Sequence, residues 1–510
     1  MDFSKNQELV IAALLFLIGF AFAAWAVGFV QALWWDESIY AINARDIRTT
    51  GAFGASGQED FRAPLLSVLL AVSQNIAGND AGLKYLAPLF SGLALATMFL
   101  LARKFYGTIT AVIAALLLLV SPLFLFYSTR VLPEVFMFPL TAITMLLAWK
   151  GFVDNDFKQA ALSVVVAALA FLLSYRFAAI IAGIAIAVIV ARWMKKEKLW
   201  NYSLPETAIL ILLGIVVVSP AFLYSQITRG TLFDTFAMQS GAPVNQPWYF
   251  YFQVLPDIAN PWGVLIITAG LAAAAMKRDT PSVYIALTFI ISFAALTAFG
   301  HKFDRYLLPV LVPGFVLGAR ALVGGVKAAW RSVNKTSEAL TSDSKASNVA
   351  FSVIVALVLI YGFVQMVAAT PSTIQQVQAK GDSYGEVKEA GLYLMANTAP
   401  QEYVMSDSPQ TQYYAERRLA PFPDDLPGFL AALQKYNPRY IEISLYEGKA
   451  AMLANALNDA QSLISGQKQP TNPPEYVVAH DKEFEIAQVF FRPGPSGSKQ
   501  PQVIIFRRKS

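Results

Sequence analysis

Eleven mostly apolar runs, most of them 17 to 21 residues long, recur along the chain near residues 9–33, 82–102, 107–127, 132–149, 159–174, 177–192, 206–224, 258–276, 282–299, 306–324 and 349–369. Nothing else in the sequence constrains folding as much. A helix crossing a bilayer needs about 20 apolar residues, and only a helix or a closed barrel satisfies its own backbone polar groups in hydrocarbon. The expected fold is therefore a polytopic α-helical membrane protein with about eleven spans. Composition agrees, since 56% of the 510 residues are hydrophobic and 14% charged, against about 25% charged in a soluble domain. A soluble nucleotide-binding enzyme, a nucleic-acid binder and a disordered chain are excluded. The first run is too long, and too far from a small-residue cleavage pattern, for a removed signal peptide, and reads as an anchor. Residues 64–77 are apolar but too short to cross, and predict an interfacial or re-entrant helix.

Basic residues assign a side to each loop. With the amino terminus inside, Lys5, Arg103, Lys104, Lys150, Lys158, Lys277, Arg278 and the cluster "RWMKKEK" at 192–198 all fall at cytoplasmic turns, as the positive-inside bias requires. The expected location is the plasma membrane, with a cytoplasmic amino terminus and everything after residue 370 extracytoplasmic. Two domains follow: a transmembrane one over 1–370, with external loops at 34–81 and 225–257, and a soluble α/β one over 371–510. The inner loop 325–348, rich in Ser, Asn, Thr and Lys, reads as a tether. In the last domain "EYVMSDS" and "RYIEISLY" predict strands, "DLPGFLAALQKY" and "KAAMLANALNDAQSLI" helices, and "EYVVAHD", "EIAQVFF" and "QVIIFRR" closing strands. Helices alternating with short strands predict a two- or three-layer module.

The chain has no cysteine and two histidines, so thiolate chemistry and an imidazole-rich metal cage are excluded. Chemistry must run on carboxylates and cations. Ionisable groups near hydrocarbon are costly and mark function, and four groups stand at outer span ends. "WWDESIYAINARD" places Asp36 and Glu37 directly after the first span, with Arg45 further on; the competing reading is an aromatic belt followed by a solvated loop. "YSTRVLPEVF" sets Arg130 four residues before Glu134, which on a helix is a simple ion pair, although Pro133 interrupts that geometry. "GHKFDRYLLP" gathers His301, Lys302, Asp304, Arg305 and Tyr306, an excess of cations that calls for an anion. Tyr175 and Arg176 in "SYRF", and Arg62 in "FRAPLL", complete the set. Arginine forks match phosphate oxygens, a carboxylate can take the proton of an attacking hydroxyl, and cations can stabilise a phosphate leaving group. That combination suits transfer from a lipid-linked phosphate.

A "DE" after span one, a short "FRAPLL" helix, an outer "RVLPE" turn, a late "HKFDRYLLPVLVP" span start and a carboxy-terminal α/β domain together resemble the GT-C superfamily of integral-membrane glycosyltransferases. Within it the chain is most similar to the branch holding aminoarabinose transferases and protein O-mannosyltransferases. The resemblance implies an inverting transfer of a sugar from a polyprenyl-phosphate donor to a hydroxyl of a glycan, lipid or protein acceptor at the outer membrane face, with no nucleic acid involved. It maps the catalytic carboxylates to Asp36, Glu37 and Glu134, and the donor phosphate to Arg62, Arg130, Lys302 and Arg305. Arg45, Tyr175, Arg176, His301 and Tyr306 are the candidates for further substrate contacts. Aminoarabinose transferases often carry an acidic residue and Lys where this chain has Phe61 and Arg62, so no divalent metal or other cofactor is assigned. The external loop 225–257 is too short for a β-trefoil insert and reads as a lid, with Trp248, Tyr249 and Tyr251 at the interface. The competing functions are a transporter or flippase for an anionic lipid, and a membrane-anchored binding protein.

Overall fold

Local capping and proline chemistry set where the helices begin. Ser4 and Gln7 form a reciprocal capping box at the start of α1 (Lys5–Val27), and Pro122 and Pro133 open α6 (Pro122–Tyr127) and α7 (Pro133–Ala148) at first-turn positions that need no N–H. The computed structural model describes residues 4–30, 32–56, 62–77, 81–229, 246–336, 343–381, 383–446, 449–493 and 499–509. It divides into two compact units: Met1–Phe29 with Phe61–Gln378, and Val30–Asp60 with Ala379–Ser510.

The first unit is a helical bundle. Its remaining helices are α3 (Leu65–Ala77), α4 (Ala81–Tyr106), α5 (Thr108–Leu119), α8 (Phe157–Leu173), α9 (Phe177–Met194), α10 (Leu204–Arg229), α11 (Phe250–Ala259), α12 (Pro261–Lys277), α13 (Thr280–Ala298), α14 (Leu311–Thr336) and α15 (Asp343–Gly381). Every one of the eleven apolar runs is helical, and 64–77 is the short α3. Among the described residues eight helices are long and apolar enough to cross a membrane, nine if α11 and α12, bent by 108°, form one span. The bend falls at Asn260, which has φ +67° and caps α12 just before Pro261. The run at 107–127 is broken, because Ser121 and Pro122 end α5 after twelve residues and start α6. A 3-10 turn, Asp304–Val310, leads into α14, and this span is the centre of the bundle, 89% buried against 6% for Leu204–Leu223 of α10. The apolar residues left exposed on α1 and α10, such as Leu17, Ile211 and Leu212, face where lipid would be. The protein is a multi-pass membrane protein. Helices α1 and α4 pack closely through Gly19 and Gly92: a Cβ on Gly92 would lie 2.6 Å from the Phe16 carbonyl oxygen. Most of the expected tether at 325–348 is helical, since α14 continues to Thr336 with Val326, Trp330 and Val333 along one face; residues 337–342 lie outside the described residues.

The second unit holds α2 (Trp35–Thr50) and an α/β module whose helices are α16 (Gly385–Asn397), α17 (Pro409–Ala415), α18 (Leu426–Tyr436), α19 (Ala450–Asn458), α20 (Ala460–Ile464) and α21 (Pro473–Ala479). Its strands β1 (Tyr403–Met405), β2 (Arg418–Ala420), β3 (Tyr440–Ser444), β4 (Phe484–Pro493) and β5 (Lys499–Arg508) run in the order β2-β1-β3-β5-β4. The β2–β1–β3 part is parallel, and β5 pairs antiparallel with both β3 and β4. Alternate residues point to opposite faces: Met405, Ile441, Ile443, Ile504 and Phe506 pack with Phe429 and Leu433, whereas Val404, Tyr440, Val503 and Ile505 pack with Val387 and Leu394. Helices cover both faces, giving three layers. One expected strand is a helix. "EYVVAHD" begins inside α21, where the Asn472 side chain accepts from the Glu475 N–H and Pro473 and Pro474 occupy the first turn, a helix-start signature that outweighs the β-branched valines.

Candidate active site

Within the first unit, chain segments far apart in sequence meet around the start of the central span. The turn after α6 supplies Arg130, the first turn of α7 Glu134, the turn between α8 and α9 Tyr175 and Arg176, and the segment before α14 His301, Lys302, Arg305 and Tyr306. Pro133 starts α7 after Arg130, so Arg130 and Glu134 do not share a helix. Glu134, 4% exposed, reaches Arg305, with Oε1 3.6 Å from Nε. The Arg305 backbone N–H donates to Asp304 Oδ1 at 2.7 Å, and the Tyr127 hydroxyl donates to the same oxygen at 3.3 Å. This holds the turn that aims Arg305.

The Arg176 guanidinium lies 3.8 Å from the centre of the buried Tyr306 ring, and Arg305 sits 4.7 Å from the Phe303 ring and 5.6 Å from Tyr306. Stacked guanidinium planes keep charge in an apolar place at little desolvation cost. His301 packs edge-on against Phe303 at 4.9 Å. Glu134, Arg176 and Tyr306 line one small pocket with Met137, Ser174 and Leu296. Arg130 is 1% exposed, and Lys302 is 3% exposed with Nζ donating to the Gln246 carbonyl at 2.9 Å. Burial holds the Lys302 ammonium below its ordinary pKa. Arg62 stands half-buried just before α3, and Tyr175 packs against Phe171 at 5.2 Å. Of the expected lid, residues 230–245 lie outside the described residues; Trp248 and Tyr249 are exposed and Tyr251 is buried.

Asp36, Glu37 and Arg45 belong to the second unit, on α2. Asp36 is partly exposed in the first turn. Glu37 is 1% exposed and its Oε2 accepts from the Trp34 N–H at 2.7 Å, so it closes the start of the helix that carries Asp36. Arg45 donates to the Tyr413 carbonyl at 3.0 Å, while the Leu33 N–H donates to the Tyr414 hydroxyl at 2.9 Å. These bonds tie α2 to α17. Below them lies a buried polar group that sequence reasoning missed. Glu442 on β3, fully buried, accepts from the Ser406 hydroxyl, and burial pushes its carboxyl up to about 7. The "SDSPQTQ" run at 406–412 was the available signal, polar although it runs into a helix, Pro409–Ala415, with six of its seven residues buried. Among the described residues no three His, Asp or Glu side chains gather as metal ligands do.

A helical membrane bundle, a cation-rich opening at its central span and a three-layer α/β module define the fold class of the GT-C integral-membrane glycosyltransferases. Over 99% of this chain and 98% of theirs, two structures of ArnT from Cupriavidus metallidurans share that fold, the apo form at TM-score 0.70 and 13% identity, the form bound to undecaprenyl phosphate at 0.66 and 12%. The oligosaccharyltransferase AglB from Archaeoglobus fulgidus, in complex with an inhibitory peptide and a dolichol-phosphate, matches at 0.56 and 14% over 97% of this chain and 74% of its own. A model of the Alg9-like mannosyltransferase family matches residues 81–400, and the chain belongs to that family. The undecaprenyl phosphate-α-4-amino-4-deoxy-L-arabinose arabinosyl transferase of Pseudomonas aeruginosa is 32% identical over 79 residues, and transferase 2 of Pseudomonas fluorescens 30% over 83 residues; each alignment covers 16% of this chain and 14% of the relative.

Proposed function

We propose that this protein is an inverting glycosyltransferase that moves a sugar from a polyprenyl-phosphate donor to a hydroxyl acceptor at the outer face of the plasma membrane. The observation that carries the reading is the meeting of Arg176, Arg305, Glu134 and Tyr306 from three separate segments at the start of the most buried span. Ionisable groups gathered in an apolar place of a membrane protein are costly and by default argue for a functional site. Arg305 and Arg176 are assigned to the donor phosphate, with Arg130, Lys302 and Arg62 adding positive charge. Glu134 orients Arg305. Asp36 is the base, and Glu37 is a positioning residue, spent on the Trp34 N–H.

In the reaction the acceptor oxygen attacks the anomeric carbon from the face opposite the phosphate. Asp36 takes the hydroxyl proton, the bond from the anomeric carbon to the phosphate oxygen breaks, and polyprenyl phosphate departs with both electrons. Its new charge falls on the arginines, so no acid is needed. Nothing in the family match or the related structures favours the transporter reading. The test is transfer from a radiolabelled undecaprenyl-phosphate sugar by purified Asp36→Asn. General-base loss costs about 10²- to 10⁴-fold with donor binding retained. Undiminished transfer by the well-folded variant overturns the base assignment.

A further inference from the structure

One open pocket within the second unit remains without a role. It is lined by Trp35, Phe422, Tyr446, Asp407, Asp424 and Lys449. Lys449, 4% exposed, is the hub: its ammonium pairs with Asp407 and with Asp424, 3.1 Å from Oδ1, and lies 4.5 Å from the Phe422 ring centre. Tyr446 is held from behind, its hydroxyl donating to Glu386 at 3.1 Å and its ring 4.6 Å from Tyr384. Trp35 leaves 41% of its surface exposed. The pocket thus combines a part-exposed indole with two carboxylates and a buried ammonium, the mix of apolar wall and few polar groups that small-molecule sites show.

The chemistry narrows the occupant. Two carboxylates face one ammonium, so the pocket carries a net negative charge and an anionic ligand would meet repulsion on entry. Carboxylates only accept hydrogen bonds, and the Asp424 side chain is 81% exposed, so it has room for a second donor. Paired hydroxyls on a ring are such donors. An aromatic face takes the apolar face of the same ring. Trp35 also immediately precedes Asp36, the assigned base, in the first turn of α2.

We infer that this pocket is the acceptor subsite and that the acceptor is an uncharged or amino sugar carrying a free hydroxyl, not a phosphorylated headgroup. The inference rests on the transferase reading of the same chain. The full-length protein in lipid nanodiscs is probed by saturation-transfer NMR with mannobiose, lactose and chitobiose, and with mannose 6-phosphate as the anionic comparator. At least one uncharged disaccharide gives a signal that falls five-fold or more in Trp35→Ala and in Asp424→Asn, and mannose 6-phosphate is at least five-fold weaker. Asp424 is exposed, so its variant keeps the test valid if Trp35→Ala misfolds. No uncharged saccharide bound, a signal unchanged in Asp424→Asn, or equal binding of mannose 6-phosphate each overturns the subsite. Undecaprenyl phosphate binding on the same preparation separates the two ideas: if it persists while saccharides fail, the acceptor subsite alone is wrong. If it is absent while saccharides bind through Trp35, the donor reading fails and the sugar pocket stands.

Discussion

Removing either side of the Glu134–Arg305 pair should cost stability, while the two removals should act oppositely on donor binding. The Nε to Oε1 separation is 3.6 Å, and the side chains are 14% and 6% exposed. At an effective dielectric of about 20 that distance corresponds to roughly 5 kcal/mol of gross attraction, most of it offset by desolvation. Stripping one partner from a buried pair costs about 3–5 kcal/mol, because the other charge is left behind. Glu134→Gln is therefore expected to lower the thermal midpoint of the ligand-free protein. It also leaves Arg305 with a charge that a phosphate can neutralise, so undecaprenyl phosphate should stabilise Glu134→Gln more than it stabilises wild type. Arg305→Gln should bind undecaprenyl phosphate about 10- to 100-fold more weakly, the worth of one charged hydrogen bond of roughly 1.5–3 kcal/mol. The double variant should be more stable than the sum of the single losses predicts. Thermal midpoints and lipid affinity by native mass spectrometry, on all four proteins in nanodiscs, complete the cycle. Affinity of Arg305→Gln within two- to three-fold of wild type, or additive stability losses, would refute the reasoning.

Further tests address other links. Glu442 has its carboxyl raised from 4.5 to about 7 by burial; the folded state then keeps a proton the unfolded chain releases, and stability falls as pH rises from about 4.5 to 7. The loss is about 3 kcal/mol at about 1.4 kcal/mol per tenfold in proton affinity, so Glu442→Gln should flatten the thermal midpoint between pH 5 and pH 8; an unchanged slope rejects Glu442 as its source. Gly92→Leu should push α1 from α4 and cost about 1–3 kcal/mol by overpacking, whereas Gly214, whose nearest new contact is Val164 Cγ1 at 3.4 Å, should accept Ala with little change; equal losses from both would show that close approach is not what requires Gly92. For sidedness, the chain lacks cysteine, so Lys277→Cys and Gln467→Cys are clean reporters. An impermeant maleimide should label position 467 in intact cells and position 277 only after permeabilisation, and the opposite pattern inverts the assigned topology.

What the sequence made legible is what local physics encodes. An apolar run has one solution in a bilayer, so the helices stand where the runs are, and Glu37 sits three residues after Trp34, the spacing at which a carboxylate caps its own helix. Proline and asparagine breaks were harder, since a window of apolar residues passes over Ser121–Pro122 and Asn260–Pro261 without dipping. "EYVVAHD" failed because its valines carry a strand preference, while the deciding residues, Asn472 and the two prolines, precede it. The Glu134–Arg305 pair and the Arg176–Tyr306 stack join residues more than 100 positions apart, and no spacing rule reaches that far. The pocket around Lys449 was equally hidden, because its members come from four separate segments.

Helix α9 separates structural from functional arginines. It carries Arg176 at its amino-terminal cap and Arg192 in its last turn, about 24 Å apart along the axis at 1.5 Å per residue. Arg192 is 2% exposed, and its donors reach the Lys198 carbonyl at 2.6 Å, the Asn155 side-chain oxygen at 2.6 Å and the Phe152 carbonyl. Those acceptors consume most of the five N–H groups a guanidinium owns, which makes Arg192 a lock on the turns at 150–155 and 195–202. Counting it only as a basic residue at a cytoplasmic turn missed that use. Arg176 places its guanidinium carbon over the Tyr306 ring, 3.8 Å from its centre. A stacked guanidinium keeps its N–H groups in its own plane, directed away from the ring. An arginine arranged in that way holds its position by stacking and retains its hydrogen-bond donors for an anion. Two arginines of equal charge at the two ends of one helix thus differ in what their donors are spent on, and that difference is what supports the proposal that Arg176 meets the donor phosphate.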